Sequence, residues 1–407
     1  MPLIIKLAFR NIFRQTRRSI LTALSIGGGY MLCALSLSLL EGSYNNLIDL
    51  FTLSNTGHIQ IHQDNYLDRP KIHKSISNYE VVGEQLSSND EILNFSYRIY
   101  SPGLAYSDHG NQPAQIKGVK LDLEKNTTLI ADKIREGKYI SNAPNSDGYY
   151  SAMIGTGIAE GLKISLGDEL VVISQGADGS VANDIFVVGA IIGNKDSMER
   201  NQIILPLVAA QEFLSMYNQV HEIAMILESY QDATRITEQL RQSIPELTVS
   251  SWQQVEEGFY KSMQSDKQGN TATMGIILFI VFIGVLNTVF MTVLERTREF
   301  GVLKAIGSRP RTVLALVSLE TCILAVMSIC VAFLITLPLV YWFANAGFTL
   351  PEPIDIGGIA FDAFKGEITF EVFFIPALIL LLFAFIISLP PGIRAARIAP
   401  TQAMSSH

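Results

Sequence analysis

The sequence predicts an α+β membrane protein: four transmembrane helices, an amphipathic helix ahead of the first, and one large α/β domain between the first and second. Three observations carry this. Four stretches lack Asp, Lys and Arg and are long enough, or nearly so, to cross a bilayer. Basic residues crowd some of their flanks and avoid others. The intervening segment, residues 42–270, is polar and acidic, with 17 Lys and Arg against 29 Asp and Glu, a net of −12, in a chain that is 48% apolar and only 17% charged.

The spans are Ile20–Leu40, Met274–Leu294, Val313–Phe343 and Val372–Leu389. About 20 residues at ~1.5 Å each cross a hydrocarbon core of ~30 Å. The fourth is short and stops at Pro390-Pro391, which tilt or local thinning accommodates. Lys6, Arg10, Arg14, Arg17 and Arg18 precede the first span, and Arg296, Arg298, Lys304, Arg309 and Arg311 lie between the second and third. Arg394 and Arg397 follow the fourth, whereas the loop before it holds Lys365 among Glu352, Asp355, Asp362 and Glu367. Both termini are therefore expected in the cytoplasm and the large domain outside, in the periplasm of a diderm bacterium. The expected division is 1–18 (elbow helix), 19–41, 42–270 (outer domain), 271–294, 295–312 (cytoplasmic loop), 313–343, 344–371 (short outer loop), 372–390 and 391–407 (tail).

In the N-terminal segment Lys6, Arg10, Arg14 and Arg17 recur at four, four and three, one helical stripe, while Leu3, Ile4, Leu7, Phe9, Ile12 and Phe13 fill most of the rest. This is the pattern of an interfacial helix, apolar side in the acyl chains and basic side toward anionic headgroups. The run after Arg18 is too long for a cleavable signal peptide. Cys33, Cys322 and Cys330 all fall in apolar runs, so the outer domain has neither disulfides nor thiolate metal sites. It carries no basic face, which argues against nucleic-acid binding.

Near the end of the outer domain strand and helix alternate: strand Gln202–Leu205, helix Leu207–Met216, strand Glu222–Leu227, helix Asp232–Ser243, strand Leu247–Ser251. Near its start Gly57-His-Ile-Gln-Ile-His62 alternates as a strand and Tyr79–Leu86 reads as a helix. The middle, 116–200, is richer in strands, with Val171–Ser174 and Ile185–Val188 flanking an Asp-Gly hairpin turn at Gln175–Ser180. Trp252–Lys267 reads as helix running into the second span.

Signals for chemistry are weak. Gly155-Thr-Gly157-Ile-Ala-Glu-Gly161 misplaces the third glycine of a dinucleotide loop and reads as a strand-to-helix turn. His58 and His62 share a strand face with too few neighbouring ligands for zinc, so a solvated face is expected. No Gly-x4-Gly-Lys-Ser/Thr loop exists: if ATP drives this protein, another polypeptide binds it. Within the third span Glu320 is costly and a functional candidate by default; one acid without a second charged partner makes a poor proton relay, so the alternatives are snorkelling to the cytoplasmic interface or a buried hydrogen bond to a neighbour such as Asn287. In the first span Gly27-Gly-Gly29 leaves room for a helix or an acyl chain, and Leu37 and Leu40 are the candidate lining of a lipid path.

In the 295–312 loop, Glu299, Phe300, Val302, Leu303, Lys304 and Ile306 form a short amphipathic helix ending at Gly307, with Ser308 capping the next helix and Pro310 in its first turn. Gly301 and Ala305, four apart, allow close approach, and such a helix fits a groove on a soluble partner. The loop Glu295-Arg-Thr-Arg-Glu-Phe-Gly-Val-Leu-Lys-Ala-Ile-Gly-Ser308 resembles that of ABC transporter permeases in the lipoprotein-releasing, macrolide-exporter and FtsX-like superfamily (type VII). Leu7-Ala-Phe-Arg-Asn-Ile-Phe-Arg14 with Arg17-Arg-Ser-Ile-Leu-Thr22 resembles their elbow, and Arg394-Ala-Ala-Arg-Ile-Ala-Pro-Thr-Gln-Ala403 their tail. Gly57–His62 and Gly176–Asp184 resemble the lipoprotein-releasing branch.

The resemblance implies that Glu295, Arg296, Arg298, Glu299, Phe300, Gly301, Leu303, Lys304, Ala305, Ile306 and Gly307 couple the permease to an ATPase. It implies two ABC ATPase subunits, which bind ATP and Mg, and a second permease copy or paralogue; this chain would be no enzyme and hold no cofactor. The outer domain would divide into a Porter-like unit (42–115 and 201–251), a Sabre-like unit (116–200) and a helical stalk (252–270). Function would be mechanotransmission, foremost release of a lipoprotein from the inner membrane. The alternatives are work with a periplasmic adaptor and outer-membrane channel in peptide or small-molecule export, or activation of a cell-wall hydrolase. A membrane-tethered binding or sensor module is a reading of another class. The carrier-recruiting permease of that branch has a long hook on a hairpin, whereas the matching turn here, Gln175–Ser180, is short.

Overall fold

The structure, a computed structural model, describes residues 2–14, 16–195, 197–356 and 359–398. It forms two compact units: Met1–Tyr44, Met263–Thr349 and Ala363–His407 in one, Asn45–Ser262 and Leu350–Asp362 in the other.

In the first unit, four helices among the described residues are long and apolar enough to cross a membrane: Thr16–Thr56 (TM1, closing in a π-helical turn), Glu257–Glu295 (TM2), Pro310–Asn345 (TM3) and Phe370–Arg397 (TM4). All overrun their apolar spans, because intrahelical hydrogen bonds continue into polar sequence once a core-packed segment has nucleated the helix. TM1 and TM2 extend into the second unit. The elbow helix, Pro2–Arg14, ends earlier than the basic stripe suggested, so Arg17 belongs to TM1. Ala8 and Ile12 are buried and Leu7 packs on the bundle core, while Phe9 and Phe13 are exposed with ring centroids 5.1 Å apart. The helix is thus apolar on two sides, one for the bundle and one for lipid. The side chains of Leu3 and Ile4, and all of residues 399–407 including the end of the tail motif, lie outside the described residues.

Pro390 and Pro391 do not end TM4; the helix runs on to Arg397. Interior prolines cost a helix roughly 3 kcal/mol in isolation, and tertiary packing offsets that here. Ser388 donates to Ser318 of TM3 at 2.9 Å, and Gly392 lies so close to Leu314 that a Cβ would meet its Cδ1 at 2.7 Å.

The second unit is built on a ten-stranded sheet. Its order is Thr248–Ser251, Ile59–His62, Glu222–Leu227, Ile92–Ser107, Gly110–Val119, Gln202–Pro206, Ser151–Gly155, Val181–Ile192, Ile134–Gly137, with Glu169–Gln175 bridging Ile92–Ser107 and Val181–Ile192. The alternating run near the domain's end does form: Gln202–Pro206, Glu222–Leu227 and Thr248–Ser251 point the same way. None pairs with another, because Ile59–His62 lies between the last two and the hairpin Ile92–Ser107 and Gly110–Val119 between the first two. The 155–161 segment is the strand-to-helix turn expected; a Cβ on Gly155 would meet the Glu199 carbonyl at 2.0 Å and one on Gly157 the Arg200 side chain at 2.5 Å. These glycines exist for backbone packing.

The histidine strand is not solvated. Ile59–His62 is sandwiched between two strands and buried along its whole length. His62 bonds the His221 carbonyl and Gln60 at 3.0 Å each, and the Tyr66 ring stacks between the His62 and His221 rings, 5.2 and 5.0 Å away. Beside it Arg98, fully buried, donates to Glu124 (3.0 Å) and Glu222 (2.7 Å), while Lys117 donates to Glu124 (3.1 Å). Charges buried this deeply survive only when paired and hydrogen-bonded.

Candidate functional site

The coupling loop is a one-residue break followed by a short helix. TM2 stops at Glu295, Arg296 leaves helical geometry (φ −96, ψ 13), and the coupling helix runs Thr297–Ala305. Its end is a Schellman motif: Gly307 takes φ +102, its N–H donates to the Lys304 carbonyl and that of Ser308 to the Leu303 carbonyl, each at 3.0 Å. Ser308 does not cap TM3. Arg309 occupies the N-cap with no side-chain bond, and Pro310 opens the helix, where its missing N–H costs nothing.

Arg296 is the centre of the site. Its Nη1 donates to both oxygens of Glu320 at 2.8 and 2.7 Å, its Nε donates to Glu299 at 3.0 Å, and its guanidinium lies 5.3 Å from the Phe300 ring centroid. Glu320 therefore does have a charged partner, 24 residues away on another helix, and also receives Asn11 of the elbow at 3.5 Å. Asn287, the neighbour expected from sequence, is instead exposed and takes no hydrogen bond. Outward from this centre, Arg14 of the elbow donates to Glu299 at 2.8 Å, so elbow, coupling helix and TM3 share one chain of ion pairs, while Arg18 of TM1 pairs separately with Glu295 of TM2.

A second fastening lies at the far end of the helix. Lys304 donates to the carbonyls of Ala396 and Ile398 at 2.9 and 2.7 Å. It thereby meets acceptors that the end of TM4 leaves open, where a cation is favoured by the helix dipole. Phe300 and Gly301 are buried and Leu303 half-buried against the bundle. What remains outward is Arg298, Val302, Ala305 and Ile306, one face at helical spacing, with Ile306 80% exposed. Of the residues singled out from sequence, Glu295, Arg296, Glu299 and Lys304 hold the helix in place, and Arg298, Ala305 and Ile306 face away. Val302 and Arg18 belong to the same arrangement. Lys6, Arg10 and Arg17 are not drawn in, and Leu37 and Leu40 are half-buried on TM1.

A four-span helical unit, a large mixed-sheet insertion after the first span and a short helix clamped between the second and third define a membrane permease subunit. Family models agree. The FtsX-like permease C-terminal model matches residues 271–400, and the MacB-like periplasmic core domain model matches residues 19–243, more than half the chain. The chain belongs to the ABC transporter permeases of the FtsX-like and MacB-like family, whose members work with an ATPase partner. It is 23% identical over 311 residues to the lipoprotein-releasing system transmembrane protein LolC of Xylella fastidiosa, covering 72% of this chain and 73% of that protein. It is 22% identical over 348 residues to an uncharacterized ABC transporter permease of Methanocaldococcus jannaschii, covering 78% of each. Among solved structures, the periplasmic region of MacB from Actinobacillus actinomycetemcomitans matches with a TM-score of 0.38 at 12% identity, over 53% of this chain and 97% of that one.

Proposed function

We propose that this chain converts ATP hydrolysis in a separate ATPase into movement of its periplasmic domain, and that the work done is release of a lipidated protein from the inner membrane. The observation that carries the first part is the coupling helix. Ion pairs at one end and the Lys304 bonds at the other fasten it to three membrane helices, and its remaining face, Arg298, Val302, Ala305 and Ile306, is free to dock. A push on that face is transmitted to TM2, TM3 and TM4 together. ATP and Mg bind on two ATPase subunits, the permease acts with a second copy or paralogue, and both termini lie in the cytoplasm.

The test is copurification with the ATPase encoded beside the permease. Val302→Asp with Ile306→Asp should lose the ATPase while the permease keeps its melting temperature; retention of the ATPase overturns the docking assignment. Cysteines at Ser180 and Ser308 should label oppositely with an impermeant thiol reagent in intact cells. Labelling of Ser308 alone reverses the topology.

The lipoprotein substrate draws support from the relatives at about 23% identity. Depletion of the permease should leave lipoproteins in the inner membrane, and bulky replacements at Leu37 and Leu40 should do the same if the acyl chains pass there. One observation favours a different partner. Gln175 pairs directly with Val181, closing the hairpin with five residues. A turn this short supports mechanotransmission to an adaptor over carrier recruitment by a hook, and crosslinking from Ser180 in cells separates the two.

A further inference from the structure

The three glycines of TM1 do three different things. A Cβ on Gly27 would lie 3.3 Å from Ala332 of TM3, and one on Gly29 would lie 2.6 Å from Val281 of TM2, so both mark close helix packing. Gly28 has nothing within 4 Å. It opens into a groove of about 520 Å³ between TM1 and TM3, walled by Ile20, Leu24 and Met31 on one side and Val331 and Ile335 on the other, and reaching Phe13 of the elbow.

Five cations, Lys6, Arg10, Arg14, Arg17 and Arg18, lie in and just after the elbow helix. Arg14 and Arg18 are occupied by Glu299 and Glu295. Lys6, Arg10 and Arg17 are exposed and take no ion pair or hydrogen bond. Lys6 and Arg10 stand seven and three residues before Phe13, and Arg17 three before Ile20, spacings that put each on the same helical side as a groove residue. An apolar groove whose elbow-end residues Phe13 and Ile20 share a helical side with three uncompensated cations matches one chemistry, an acyl chain joined to an anion.

We propose that the groove seats an acyl chain of an anionic phospholipid whose phosphate is held by Lys6, Arg10 and Arg17. The other natural occupant, a second copy of this chain, would add its own uncompensated cations to the same interface, which raises the charge repulsion there. The site lies at the elbow end of TM1, away from Leu37 and Leu40, and the inference does not rest on the substrate assigned above.

The test is native mass spectrometry of the full-length permease in mild detergent, with phosphatidylglycerol and phosphatidylethanolamine of matched chains offered in turn. The parent should retain one phosphatidylglycerol per chain at least tenfold more firmly than phosphatidylethanolamine. Gly28→Leu, and Ile335→Trp from the opposite wall, should each lower that occupancy at least tenfold without lowering the melting temperature, whereas Gly28→Ser should retain it. The combined Lys6→Gln, Arg10→Gln, Arg17→Gln variant should bind both lipids alike. Equal retention of both lipids by the parent, or undiminished phosphatidylglycerol on both filled variants, overturns the proposal. Loss of dimer mass in those variants in place of lipid assigns the groove to the second copy and overturns it equally.

Discussion

The protein contains two buried ion-pair networks that use the same chemistry to different ends. In the periplasmic domain Arg98, Lys117, Glu124 and Glu222 close on one another inside the sheet, and every member is buried. Under the coupling helix, Arg296 and Glu320 are largely buried, but the chain of pairs continues outward to Glu299 and Arg14, whose side chains are 40% and 72% exposed. The further contacts of the periplasmic network, to Asn55 and Tyr100, lie in the same domain, so it serves the fold. An open-ended one can exchange partners at its rim while its centre stays paired. The first is structural, and the second is placed to pass on a displacement of the loop.

The largest expected effect breaks the sealed network. Arg98→Met leaves Glu222 without its guanidinium and Glu124 with Lys117 alone, and removing one partner of a buried pair costs about 3–5 kcal/mol. Thermal unfolding of the purified permease should show the periplasmic domain melting far below the parent; a melt within 2 °C, no more than the shift expected for ~1 kcal/mol in a domain of this size, would show that the network is dispensable.

Acid should act on the same region through groups whose folded and unfolded pKa differ. Burial pushes His58 down to about 4, and burial also lowers His62 and His221. A histidine with a depressed folded pKa takes up its proton only on unfolding, so stability is full above ~6.5 and falls as pH drops toward 4. Burial alone would raise Glu124, but Arg98 and Lys117 beside it hold it at about 2, so its contribution persists above ~4.5 and is lost between there and 2. His58→Asn keeps an acceptor near the Leu227 N–H, which donates to the His58 ring at 3.0 Å. It should flatten the fall between pH 6.5 and 4 by up to about 3 kcal/mol, measured by denaturant titration at each pH.

Breaking the open network should separate coupling from stability. Glu320→Gln leaves Arg296 with Glu299 and water at the rim. The permease should remain folded and ATPase-bound while its stimulation of ATP turnover falls at least tenfold; unaltered turnover would reduce the pair to a structural contact. The smallest effect is expected furthest out. Arg14→Gln removes an exposed pair worth ~0–1 kcal/mol, and neither melting temperature nor turnover should change by more than a small fraction.

Element by element, sequence served best where a pattern is local. Hydropathy and length found the four spans, the Asp-Gly signal found the hairpin closed by Gln175 and Val181, and Gly307 announced the end of the coupling helix. It misjudged His58 and His62, because alternation in a six-residue stretch cannot tell a strand with one wet face from one buried between two others. It ended TM4 at Pro390, because the packing of Ser388 on Ser318 and of Gly392 on Leu314 is invisible to helix propensity.

What the sequence alone determined is the set of elements, the expected orientation of the spans from their basic flanks, and the short amphipathic helix of the coupling loop, though not that Phe300 and Leu303 turn inward while Val302 and Ile306 face out. These follow from hydrophobic periodicity, turn chemistry and charge distribution, each written within a few turns of chain. The pairing of Arg296 with Glu320, the closure of Arg98 on Glu124 and Glu222, and the separate fates of Gly27, Gly28 and Gly29 were decided only by tertiary structure. Each depends on which helix or strand stands opposite. Residues 24, 26 or 124 positions apart become neighbours through the packing of whole elements, and no local pattern encodes that.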